Sequence, residues 1–125
     1  MEEPRSYEGG CHCGAVRYRL RTRSRVMFEC NCSICKMKGY LHLIVPRGDF
    51  ELLAEQASLT DYQFNTRTAH HYFCKTCGVP SFYVPRSHPD GYSVNGRCLD
   101  GHALADFTLR SFNGEHWEAN VHEIR

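Results

Sequence analysis

The stretch ECNCSICKMKG, residues 29–39, places Cys30, Cys32 and Cys35 within six positions. Thiols this close can converge on one soft metal ion, and zinc binds cysteine as thiolate in tetrahedral sites. Two more clusters occur, Cys11 and Cys13 in CHCG and Cys74 and Cys77 in CKTCG, while Cys98 stands alone. Eight cysteines in 125 residues would also suit a disulfide-bonded secreted protein. However, MEEPRSYEGG is acidic and polar with no apolar signal core. A reducing compartment is therefore expected, the cytoplasm first and the nucleus second, with the thiols read as zinc ligands.

Seven clustered thiols divide most naturally into four and three. In CHCG and CKTCG the second cysteine precedes Gly14 and Gly78, and a strand follows each. Glycine there admits a left-handed turn that brings backbone amides toward sulfur. Two such turns facing each other would make a closed four-cysteine site of Cys11, Cys13, Cys74 and Cys77. Cys30, Cys32 and Cys35 would then hold a second zinc with three protein ligands, which is the catalytic pattern. Pairing Cys32/Cys35 with Cys74/Cys77 as a ribbon is disfavoured, because the 38 residues between the pairs exceed the usual ribbon loop of about 15–20.

Three thiolates make zinc a weak activator of water. Such a site instead favours a soft fourth ligand, a thiol from a substrate. Lys36 and Lys38 could offset the excess negative charge, although solvated lysines are the simpler reading. Deaminases also use three-cysteine zinc, but they need a Glu two residues after the first ligand and a P-C-x-x-C pair. Here Cys32 stands two residues after Cys30, and Phe73 precedes Cys74.

The elements that must position these residues are short strands. Val16, Tyr18 and Leu20 alternate with Arg17, Arg19 and Arg21, which is strand period. VMFEC, YLHLIVP, FELL, SLTDYQF, AHHYFC and VPSFYVP are further strand candidates. SHPDGYSVNGRCLDG is rich in turn signals, and only the tail, about Gly114 to Ile124, has the character of a short helix. These features predict one mainly β domain over residues 1–125, core about 7–112, with little helix. No apolar run is long enough to span a membrane. A net charge of +1 argues against a dedicated nucleic-acid binder.

The chain resembles the glutathione-dependent formaldehyde-activating enzyme family, which includes centromere protein V. The matching stretches are GGCHCGAVRY, CNCSICKMKG, YQFNT with AHHYFCKTCGVPSFYVPR, and NGRCLD, together about residues 9–100. CNCSICKMK and FNTRTAHHYFCKTCGV are most similar to the centromere protein V-like branch. The resemblance implies a zinc-stabilised, Mss4-like β-sheet fold and two zinc ions per chain. It assigns Cys11, Cys13, Cys74 and Cys77 to a structural zinc and Cys30, Cys32 and Cys35 to a catalytic zinc. It also implies carbon–sulfur lyase activity on a thiol adduct such as S-hydroxymethylglutathione, with a small glutathione-like thiol as partner. The substrate sulfur would fill the remaining position on the catalytic zinc. Centromere protein V carries a long basic extension before this domain. Only ten residues precede Cys11 here, so chromatin or microtubule association is not expected.

Other residues are weighed more plainly. Arg17, Arg19, Arg21, Arg23 and Arg25 would form a basic stripe on a regular strand, most simply a solvated outer face guarding a sheet edge. His12 should point outward. His42, on the strand after the catalytic motif, is a candidate acid or base. Adjacent His70 and His71 must face opposite sides of a strand. Cys98 reads as a buried small residue. The alternative function is a non-catalytic zinc-stabilised binding module, chromatin- or cytoskeleton-associated, whose three-cysteine site is closed by Cys98 or a histidine.

Overall fold

The computed structural model describes residues 3–54, 56–64 and 67–123. Its strands are β1 (Arg5–Gly10), β2 (Arg17–Thr22), β3 (Val26–Cys30), β4 (Leu41–Pro46), β5 (Phe50–Leu52), β6 (Leu59–Tyr62), β7 (His71–Cys74), β8 (Phe82–Tyr83), β9 (Gly91–Asn95) and β10 (Thr108–Phe112). They form a three-stranded sheet ordered β1-β2-β5, a five-stranded sheet ordered β10-β3-β4-β9-β8 and the β6-β7 hairpin. All pairings are antiparallel except β10 with β3. The described helices are the single turns α1 (Cys35–Lys38) and α2 (Trp117–Asn120), with short 3₁₀ segments elsewhere. The expectation of a mainly β chain with little helix is met.

Strand period gives the five-stranded sheet two faces of different use. Met27, Leu41, Leu43, Val45, Phe82 and Val94 point into the main core against Val16, Tyr18 and Leu20 of the three-stranded sheet and its approach. Each such side chain contributes about 1.5–3 kcal/mol by burial. The alternate positions Phe28, Cys30, His42, Ile44, Tyr83 and Ser93 line a cleft on the other face.

Several expectations need correction. β9 lies inside the segment read as turns, and β1 and β10 were not foreseen. The tail does turn into short helices, but α1 shows that helix is not confined to it. Ile124, and Asn65 and Thr66 of the FNT stretch, lie outside the described residues. β2 is the central strand of its sheet, so its arginines guard no edge. The regular strand also ends at Thr22, before Arg23 and Arg25. Arg17 is paired with Asp100, Arg19 approaches Glu8 at 3.9 Å, and Arg25 donates to the Glu3 carbonyl at 2.6 Å. Only Arg17, Arg19 and Arg21 share the outer face of β2, and Arg17 and Arg19 are paired there.

Candidate metal centres

Cys11 and Cys13 lie in the turn between β1 and β2, Cys74 ends β7, and Cys77 lies in the turn that follows. Their four sulfurs are all within 4.8 Å of one another. The Cys11–Cys13 and Cys13–Cys74 separations are 3.6 and 3.7 Å. The two turns are built alike. The Cys11 N–H donates to the Val16 carbonyl at 3.0 Å, and the Cys74 N–H to the Val79 carbonyl at 3.1 Å. Gly14 (φ 85°) and Gly78 (φ 81°) both take the left-handed conformation, which favours glycine. Backbone amides then reach sulfur: Val16 N–H to Cys11 Sγ at 3.3 Å and Thr76 N–H to Cys74 Sγ at 3.4 Å. The backbone N–H groups of Val79 and Cys13 bring the Cys77 thiol down to about 6. A four-thiol cluster served by amide donors fits a tetrahedral zinc.

The second cluster is local. Cys30 ends β3, Cys32 follows in the turn, and Cys35 opens α1, which stops at left-handed Gly39 (φ 63°). The Cys35 N–H donates to Cys32 Sγ at 3.4 Å. Hydrogen bonds from Cys30 and Cys35 hold the Cys32 thiol well below its ordinary value. Sharing with Cys32 pushes Cys30 up to about 11, and sharing with Cys30 and Cys32 pushes Cys35 higher still. Cysteine binds a metal as thiolate, so loading a metal here would release the thiol protons.

His42 joins this cluster. One of its ring nitrogens lies within 4.8 Å of the Cys30 and Cys35 sulfurs. Its Nδ1 meets Ser93 Oγ at 2.9 Å and the Tyr83 hydroxyl at 3.2 Å. Its Nε2 is buried and has no hydrogen-bond partner among the described residues. Burial lowers its pKa to about 4, so the ring is neutral at neutral pH and retains a lone pair. An orphaned buried nitrogen on a ring that reaches the Cys30 and Cys35 thiols suits a metal site or a proton-transfer site; Cys32 is not part of this group of three. Gly114 completes the enclosure, since a Cβ there would stand 2.3 Å from Cys30 Sγ.

The cleft encloses about 520 Å³, and Cys30, Cys32 and Cys35 line it. His71 is buried in its wall, stacked on Tyr83 with centroids 4.8 Å apart, and burial lowers its pKa to about 4. His70 faces away, bonded to Asp61 at 2.8 Å, as the strand alternation required. His12 is exposed, as expected. Lys36 is exposed, whereas Lys38 is half-buried with its amine 6.0 Å from the Tyr40 ring centre, and burial lowers its pKa. Cys98 is only half-buried and lies beside Pro80 and Ser81, apart from the cleft lining, so it does not close the three-cysteine site. Ser93, Tyr83 and Gly114 carried no local sequence signal, because distant strands bring them to the cluster.

Known proteins resemble this chain in sequence and fold. The sequence profile of the family described as glutathione-dependent formaldehyde-activating enzyme matches residues 6–114. A Halomonas elongata protein, named as a candidate glutathione-dependent formaldehyde-activating enzyme, is 35% identical over 79 residues. That match covers 56% of this chain and 50% of the relative, so the chain spans about half the length of the curated relative it matches. A crystal structure of a Rhodobacter sphaeroides protein superposes with a TM-score of 0.70 at 34% identity, covering 82% of this chain and 99% of the other.

Proposed function

The chain belongs to the glutathione-dependent formaldehyde-activating enzyme family, and on that premise we propose that it is a zinc-dependent carbon–sulfur lyase acting on a thiol adduct such as S-hydroxymethylglutathione. Cys11, Cys13, Cys74 and Cys77 would hold a structural zinc, and Cys30, Cys32 and Cys35 a catalytic one. The observation that carries this reading is which thiols face the cleft. Cys30, Cys32 and Cys35 line a cleft of about 520 Å³, and Cys11, Cys13, Cys74 and Cys77 do not.

Zinc at the three-cysteine site would supply a soft Lewis acid that favours sulfur as thiolate. In the cleavage direction, His42 Nε2 accepts the hydroxyl proton of the adduct. The O–H bonding pair becomes the second bond of the aldehyde carbonyl, the C–S bond breaks, and its electron pair leaves with sulfur. Ser93 and Tyr83 hold the His42 ring from Nδ1 and so orient the accepting nitrogen. The apolar walls, Phe28, Ile44 and Phe112 among them, exclude water from the reacting carbon.

A second reading draws on the position of His42 itself. With its nitrogen within 4.8 Å of Cys30 and Cys35, His42 could be a permanent ligand, giving a closed zinc module without catalysis. Cobalt substitution separates the two. Under the lyase reading, adding glutathione changes the thiolate-to-cobalt bands, and S-hydroxymethylglutathione releases formaldehyde. Bands indifferent to thiol, together with no turnover, would select the closed module.

A further inference from the structure

Arg86 sits half-buried in the wall of the same cleft. Its guanidinium lies over the Trp117 ring, 3.5 Å from the centroid. Its side chain is 27% exposed. Among the described residues its one charged partner is Glu118, at 3.9 Å, and that carboxylate is 87% exposed. A pair this loose and solvated adds little stability. The guanidinium has five N–H donors in a planar fork. Stacking on an aromatic face fixes the plane while leaving the donor edge available. Phe28, Ile34, Ile44, Phe64 and Phe112 supply the apolar part of the lining, and the other cation in it, Lys36, is exposed. A charge held this way in an apolar wall is suited to a carboxylate, which it can grip with two parallel hydrogen bonds.

We propose that Arg86, laid flat on Trp117, is the carboxylate anchor of the cleft, so that the site selects thiols bearing an acidic group over neutral thiols. This rests on the reading that a substrate thiol reaches Cys30, Cys32 and Cys35. The carboxylate displaces the exposed Glu118 side chain, and the thiol end of the same molecule lies toward the cysteines. Arg86 thereby sets affinity and specificity and takes no part in bond breaking.

The test is a titration of the cobalt-loaded protein with glutathione, glutathione diethyl ester and 2-mercaptoethanol, read from the thiolate-to-cobalt bands. The native protein should bind the free acid about 10- to 100-fold more tightly than the diester, the range of one charge-assisted contact. Arg86→Gln should lose that preference while 2-mercaptoethanol binds as before. Equal affinity of the native protein for acid and diester would overturn the proposal, and this comparison needs no variant. So would an Arg86→Gln variant that keeps the preference, or one that binds all three thiols equally poorly. If no thiol moves the bands, the lyase reading falls and the anchor falls with it. A response to thiols without discrimination removes the anchor alone.

Discussion

At the scale of single residues the central question is what the unpartnered nitrogen of His42 does. Its Nδ1 has two hydroxyl neighbours, Ser93 Oγ at 2.9 Å and Tyr83 at 3.2 Å. If Nδ1–H donates to Ser93, the lone pair sits on the unpartnered Nε2, where it can take a proton. Ser93 is wholly buried, so removing its hydroxyl takes a close partner from His42 Nδ1. Ser93→Ala is expected to lower kcat about 10- to 100-fold, the usual cost of losing such an orienting contact, with zinc content unchanged. Steady-state kinetics with metal analysis check this. A loss of zinc affinity at unchanged kcat would mean that His42 is a ligand. Tyr83→Phe should do less, since the shorter contact to Ser93 survives.

At the scale of elements, the grouping of Cys11, Cys13, Cys74 and Cys77 was more legible in the sequence than the individual strands. The cysteine clusters separate on spacing and flanking glycine alone, while the alternation around Tyr18 marks β2 and the apolar, partly β-branched run YLHLIVP marks β4. β9 was hidden because Pro89-Asp90-Gly91 and Asn95-Gly96 bracket a strand of five residues, so turn chemistry dominates any short window. β10 was hidden because its pairing with β3 is parallel and joins Thr108 to Val26, a contact no local pattern encodes. That pairing has a consequence at the site. Phe112 lies opposite Cys30, so the chain turns over the thiols at Gly114. A Cβ there would stand 2.3 Å from Cys30 Sγ and 2.9 Å from Cys32 Cβ. Gly114→Ala should therefore cost about 1–3 kcal/mol by overpacking and displace the Cys30 thiol from its partners. Urea denaturation and zinc stoichiometry measure the two effects. Gly48→Ala is the control, because nothing lies within 4 Å of its Cβ position, and it should be neutral in both.

At the scale of the whole molecule, the two clusters connect very different amounts of chain. Cys11 and Cys13 belong to the turn entering β2, and Cys74 and Cys77 to the end of the β6-β7 hairpin, so a metal among them ties together parts of the chain about 60 residues apart. Cys30, Cys32 and Cys35 span a single β3-to-α1 turn, which a metal can order but need not hold to anything distant. Structural zinc in small domains contributes about 10–16 kcal/mol, comparable to or greater than the 5–15 kcal/mol by which whole domains are stable. Cys74→Ser should therefore abolish cooperative thermal unfolding at 25 °C and lose the native circular dichroism spectrum. On the proposed two-zinc reading, Cys32→Ser should keep that spectrum, melt within about 5 °C of the native protein, and lose one bound zinc ion together with turnover. Melting curves and metal analysis on the same preparations decide the matter. Equal unfolding in both variants would mean that the turn at Cys30–Cys35 also supports the fold, and that the division between a structural and a reactive centre is wrong.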